Sequence, residues 1–424
     1  MRNMKLSLKK NIFYLYINQI LTYLFPLITL PVLVDRLGTN GFGKYSFSLA
    51  LVGYFLLIVD YGFNISASRK IAQHKFDDSI KTEIFLYTIF AKIILVLTSA
   101  FLLTLVTLSI PRINENLELN WLIFISSIGL ALFPQWYFQG MERMGNITMI
   151  NTISKTSYTI LILVFVKNTT DLNLAGFFYG ISFLIPGILA FYIAFRELKF
   201  NIIHYFKRVS QKALWIKSIL HSAINELIDG RHIFLSTILS SVLISTSVFL
   251  LGIFQTDAIV GGYAANDKLI KAVLLMFAPI TNAIYPNISY ELSISEKDGI
   301  KSIKKYAIPI VLLSTVISLF LIIFNQNILG FFFNTEILEY KSAFIILAIW
   351  IPVSVLNNFI GIQYLCGSGK SKLYGKSFTV SGLITLLVMI FASKYYSFNG
   401  TALAVIFGEI LLTVMMVINI KKHK

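Results

Sequence analysis

Residues 263–277 read YAANDKLIKAVLLMF, and three charges, Asp267, Lys268 and Lys271, interrupt a stretch otherwise suited to lipid. A charge near the bilayer centre costs about 2.5–3.5 kcal/mol on insertion scales, so charges kept there tend to pair, bind or relay. Asp267 and Lys271 are four apart, with the acid on the N-terminal side, the order that favours an ion pair on one helix face. Lys268 then keeps an ammonium with no partner on its own helix. Two readings stand side by side. In one, the pair neutralises itself between helices and Lys268 snorkels outward. In the other, Lys268 and Lys271 form a cationic patch on a water-filled cavity and contact an anionic headgroup, phosphate being the first choice.

Further polar groups fall at similar depth. Lys92 and Lys155 each lie well inside an apolar run, and Arg231 stands at the entrance to another, beside Glu226, Asp229 and His232. With Lys268 and Lys271 they outnumber the deep acids, Asp60, Asp267 and Glu409, so a cavity lined by them would attract an anion. In the first apolar run Asn11, Asn18, Thr22 and Thr29 recur on one face of a 3.6-residue period, which marks Asn18 and Thr22 as polar lining. Asn282 extends the polar stripe beyond Lys271. For any one of these residues, hydrogen bonding between helices is an equally open reading.

The elements that must position these groups follow from composition. Of 424 residues 56% are hydrophobic and only 13% charged, against roughly 25% charged in a soluble domain. Twelve windows reach the length of about 20 apolar residues that a membrane-crossing helix needs: 11–34, 45–67, 84–108, 120–139, 147–166, 174–195, 230–254, 262–288, 306–325, 342–365, 374–395 and 400–420. On the N-terminal side of these spans stand 25 of the 36 Lys and Arg residues, and on the other side only a handful, among them Arg36, Lys44, Arg112, Lys167 and Lys394. The alternation would scramble if one span were missed, and it predicts that both termini face the cytoplasm. The net charge of +16 is thereby explained by topology, with no nucleic-acid partner. The single cysteine, Cys366, excludes an internal disulfide and any multi-cysteine metal site. The segment GSGKSK, beginning at Gly367, lacks the spacing and the preceding strand of a nucleotide-binding loop, so neither nucleotide nor other cofactor is expected. Outer loops are too short for a catalytic domain, and no catalytic residues are expected.

The chain also reads as a duplication. LGTNGFGKYSFSLAL from Leu37 aligns with FQTDAIVGGYAANDKLI from Phe254 when Gly43 is set on Gly261, which places Tyr45 opposite Tyr263. FNIS from Phe63 and PNIS from Pro286 echo each other at the next helix end. Six spans per half makes the repeats parallel. The expected fold is an all-α polytopic membrane protein: 12 transmembrane helices in two pseudo-symmetric six-helix bundles around a central cavity. Residues 1–196 form the first bundle, 197–217 a cytoplasmic linker and 218–424 the second.

Several segments carry a resemblance to a known family. PLITLPVLVDRLGTNGFGKYSFSLALVGYFLLIVDYGFNISASRKIA, FPQWYFQGMERM, DGRHIFLS, GGYAANDKLIKAV and PITNAIYPNIS resemble the Wzx-type O-antigen flippases, a polysaccharide transporter branch of the multidrug/oligosaccharidyl-lipid/polysaccharide exporter superfamily. The resemblance implies a multidrug-exporter-like fold and a secondary transporter, not an enzyme. Its substrate would be an undecaprenyl-pyrophosphate-linked oligosaccharide, moved from the cytoplasmic to the periplasmic leaflet of the bacterial inner membrane by alternating access. Membrane lipid, an O-antigen polymerase and a chain-length regulator are the implied partners. It assigns headgroup contacts to Lys268 and Lys271 and outer-turn structure to Gly38, Gly43 and Tyr45. If transport is ion-coupled, Asp60, Asp267 and Glu409 are the groups to carry the ion. A cation or drug antiporter of the same superfamily is the alternative, and it would want a more acidic cavity.

Overall fold

The computed structural model describes residues 2–210 and 215–422. Every regular element among them is helical: α1 Arg2–Asp60, α2 Phe63–Gln73, α3 Asp78–Ser109, α4 Pro111–Asn114, α5 Leu117–Leu132, α6 Gln135–Gly140, α7 Met144–Phe165, α8 Leu172–Ser210, α9 Trp215–Phe254, α10 Asp257–Leu275, α11 Ala278–Ile294, α12 Glu296–Ile323, α13 Asn325–Phe332, α14 Lys341–Asn358, α15 Ser371–Tyr395 and α16 Ser397–Lys422. Ten described segments are long and apolar enough to cross a membrane. One of them, Ile17–Gln73, covers most of the first predicted span and all of the second, and α9 carries the seventh. Twelve spans are consistent with this inventory. The expected linker is mostly helical: residues 197–210 continue α8 and Trp215 opens α9.

The first two spans merge because a single residue makes the turn. Gly38 adopts φ 66°, ψ 172° inside α1, a conformation open to glycine at no cost. The helix that restarts after it is capped from a distance: the backbone N–H and the hydroxyl of Thr39 both donate to Oε2 of Glu336, at 3.1 and 3.0 Å. A carboxylate at a helix start satisfies orphan donors and complements the dipole.

The chain forms two compact units, one of residues 1–29 and 48–242, the other of residues 30–47 and 243–424. In the first, aromatic side chains make the core: Phe85, Trp136, Tyr137 and Phe138 are almost fully buried and meet in tilted and edge-on pairs. There α5 and α8 cross backbone to backbone. A Cβ on Gly187 would lie 2.3 Å from the Gly129 carbonyl oxygen, and one on Gly129 would lie 2.3 Å from the Phe183 carbonyl oxygen. Small residues are how membrane helices gain close van der Waals contact without a hydrophobic driving force. Pro134 then breaks the chain between α5 and α6 because it has no N–H for the ladder.

In the second unit the duplication becomes a physical contact. A Cβ on Gly43 would sit 1.7 Å from the Asp257 carbonyl oxygen, and one on Gly261 would sit 1.9 Å from the Thr39 carbonyl oxygen. Thr39 and Asp257 each precede their glycine by four residues, so they are equivalent under the alignment of Gly43 on Gly261. Equivalent residues that touch reciprocally are the signature of a local two-fold contact. Tyr45 and Tyr263, the other matched pair, are both buried, at 1% and 0% exposure.

Candidate functional site

In the second unit, α9, α10, α14, α15 and α16 line a half-open cavity whose walls include Asp267, Lys271, Trp350, Thr385 and Glu409, with Ser247 and Ser381. Oδ2 of Asp267 accepts from the Lys271 ammonium at 2.8 Å, the pair that the four-residue spacing anticipates. Asp267 is nearly buried while Lys271 keeps 30% of its side chain accessible, so the ammonium has donors left for a ligand. The other carboxylate oxygen, Oδ1 of Asp267, is buried without a hydrogen bond.

Glu409 is held from two sides. Trp350 Nε1 donates to its Oε1 at 2.9 Å and Asn357 Nδ2 to its Oε2 at 2.6 Å, while Thr413 Oγ1 donates to Asn357 Oδ1 at 2.5 Å. These donors are neutral, so they orient the carboxylate without cancelling its charge. With all three groups ionised the cavity holds two negative charges and one positive.

Lys268 goes elsewhere. Its ammonium lies 4.8 Å from the ring centre of Phe42 and 5.9 Å from that of Tyr45, a cation–π arrangement against the helix that follows the Gly38 turn. Lys268 is therefore not among the residues that line the cavity with Lys271. Asn282 is exposed on α11, away from the lining of this cavity.

The first unit holds the remaining polar groups. Lys92, 2% exposed, donates to the carbonyl of Leu130 at 3.1 Å. That carbonyl belongs to the last turn of α5, where the break at Pro134 removes helical donors, so the cation caps a helix C-terminus within the bilayer. Asp60 accepts from Asn64 at 3.0 Å. Asn18 and Thr22 come together with α7: Asn151 Nδ2 donates to Asn18 Oδ1 at 3.0 Å, and Lys155 donates to the Thr22 hydroxyl. Arg231 is exposed near the middle of α9. Beside it Lys70 bridges Glu226 and Asp229, each at 2.9 Å, and the Tyr61 hydroxyl donates to the Leu227 carbonyl at 2.9 Å. GSGKSK is a turn between helices, where Gly369 takes φ 76°. Lys370 pairs with Glu296 at 3.0 Å, and that carboxylate holds its ammonium above the ordinary lysine range.

Trp350, Asn357 and Thr385 are the residues that sequence reasoning missed. Trp350 and Asn357 lie seven apart on α14, one face of a helix, which is a usable signal. Nothing local marks Thr385.

The architecture is that of the multidrug and lipid-flippase exporters: the chain matches a lipid II flippase MurJ in an inward closed conformation (TM-score 0.68, 14% identity, 97% of this chain and 87% of that one). It matches an inward-facing multidrug resistance MATE family transporter of the MOP superfamily equally well (TM-score 0.67, 13% identity, 97% and 98%). The chain belongs to the polysaccharide biosynthesis protein family, whose profile matches residues 8–292. It is 30% identical over 430 residues, covering 100% of this chain and 99% of the other, to a putative O-antigen transporter of Escherichia coli strain K12. It is 28% identical, over 98% and 100% of the two chains, to one of Shigella dysenteriae. The expected Wzx-type resemblance and the all-helical exporter fold are borne out, and the chain is a multi-pass membrane transporter.

Proposed function

We propose that this protein flips an undecaprenyl-pyrophosphate-linked O-antigen repeat unit from the cytoplasmic to the periplasmic leaflet of the bacterial inner membrane, both of its termini lying in the cytoplasm. The observation that carries the reading is the end-to-end similarity to O-antigen transporters. The fold, shared with a lipid II flippase, agrees with it. Transport proceeds by alternating access, with the repeats 1–196 and 218–424 as the moving bodies and residues 197–217 joining them. An O-antigen polymerase and a chain-length regulator receive the product outside.

Lys271 is the proposed phosphate contact, because it alone among the deep lysines lines the cavity beside Asp267 and Glu409. A diphosphate there competes with Asp267 for the same N–H donors. Proton or cation binding at Asp267 would release Lys271 to the headgroup, and Glu409 is positioned to take part in that exchange. Lys268, Lys92, Lys155 and Arg231 are left supporting roles: an aromatic contact, a helix cap, a bond to Thr22 and an exposed entrance.

One observation favours a second reading. Two carboxylates against one ammonium suit an organic cation, the substrate class of a drug antiporter. Complementation of a flippase-deficient strain separates the two: surface polymer should return with the wild type and not with Lys271→Ala at equal membrane abundance. No polymer with the wild type, alongside export of a cationic dye, would establish the antiporter instead.

A further inference from the structure

The first unit contains a second cavity that none of the charged groups explains. It is partly open and lies between the end of α5, the start of α6, α7 and α8, and Gln135, Asn151, Ser154, Phe133 and Phe183 are among its walls. No described lining residue is charged, so it is no place for a diphosphate. Nor is it an apolar slot for an acyl chain, because three side chains with hydrogen-bonding capacity converge on it.

Their capacity is largely unused. No hydrogen bond engages the side chain of Gln135 among the described residues, so its amide offers both a donor and an acceptor. Asn151 spends its Nδ2 on Asn18 and keeps Oδ1, and Ser154 donates to the Ser182 carbonyl at 2.6 Å while its lone pairs stay open. The floor is backbone: Gly129 and Gly187 line the cavity at the point where α5 and α8 touch. The break at Pro134 is what turns Gln135 into this space instead of continuing the helix.

We infer that this cavity is a carbohydrate subsite, taking an uncharged sugar ring of the repeat unit between neutral amides and the faces of Phe133 and Phe183. Sugars present hydroxyls that both donate and accept, together with apolar C–H faces, and a pocket of amide, hydroxyl and phenyl groups answers both. A concave site with a few placed polar groups is the usual form of small-ligand recognition. The inference rests on the flippase reading and deepens it: Lys271 holds phosphate, and Gln135 and Asn151 select the sugar.

The test uses the purified full-length protein in a detergent without a sugar head, with two probes measured by calorimetry. One is the oligosaccharide released by mild acid from the surface polysaccharide of the encoding cells, free of lipid and phosphate. The other is inorganic pyrophosphate. Gln135→Ala and Ser154→Ala should each weaken oligosaccharide binding at least tenfold and leave pyrophosphate binding within twofold, and Lys271→Ala should do the reverse. Gln135 holds no structural bond, so its variant should melt within about two degrees of wild type. Wild-type binding of pyrophosphate with no binding of the oligosaccharide, or oligosaccharide binding unchanged in Gln135→Ala and Ser154→Ala, overturns the subsite alone. Failure of both probes on the wild type overturns the flippase reading with it.

Discussion

Lys268 and Lys271 stand one helical turn apart, yet their ammonium groups meet different chemistry. Lys271 reaches back to Asp267 and faces a cavity, whereas Lys268 lies over Phe42 and Tyr45. A cation over an aromatic face contributes about 0.5–2 kcal/mol, so Lys268→Ala should lower the melting temperature while each surviving molecule transports within threefold of wild type. Lys271→Ala leaves the buried Asp267 carboxylate unpaired, so it should lower the melting temperature too, but the molecules that remain folded should lose more than tenfold in flipping. A transport assay normalised to membrane abundance separates the two, and equal loss of turnover in both variants would join them again in one site. Glu409 makes a second residue-scale prediction. Glu409→Gln retains the acceptor for Trp350 Nε1 and removes the ionisable group, so transport should persist but lose its response to an imposed pH gradient. An unchanged response would take Glu409 out of the coupling. Asp267 and Lys271 were legible as a pair because their spacing is local. The partners of Lys268 and of Glu409 were not, since Phe42 is more than 200 positions from Lys268 and Trp350 nearly sixty from Glu409; only packing brings them together.

At the scale of elements, the spans could be read from hydropathy because a bilayer leaves each crossing helix no choice but to be long and apolar. Their ends were less readable. Gly38 turns the chain in one residue, and the basic composition of 197–210 concealed a continuation of α8. The reciprocal contact of Gly43 and Gly261 offers the sharpest test at this scale. An added methyl at either position must displace a backbone carbonyl, and overpacking of this kind typically costs about 1–3 kcal/mol. Gly43→Ala and Gly261→Ala should each lower stability by that order. The double variant should cost less than the two effects added, because both methyls force the same pair of helices apart. Gly53→Ala is the control: a Cβ there meets nothing within 4 Å, and its melting temperature should stay at the wild-type value. Strictly additive losses would contradict a shared contact.

For the whole molecule, the duplication, the charge asymmetry and the family describe one kind of transporter. The repeat was visible as a short alignment around two glycines, and the fold turned that alignment into mutual contact. The orientation proposed from the lysine and arginine distribution can be read directly. In a Cys366→Ser background, a cysteine at Lys44 should react with a membrane-impermeant maleimide added outside intact cells, and one at Lys304 only after permeabilisation; the inverse pattern would reverse the topology. The central claim is tested most directly in proteoliposomes holding the purified protein and a fluorescent undecaprenyl-pyrophosphate-linked repeat unit, with a membrane-impermeant quencher outside. Wild-type protein should carry the fluorophore between leaflets at a rate at least tenfold above protein-free vesicles, and Lys271→Ala should fall to the protein-free rate. A wild-type rate equal to that of empty vesicles, in vesicles where the same protein exports an organic cation, would contradict the account.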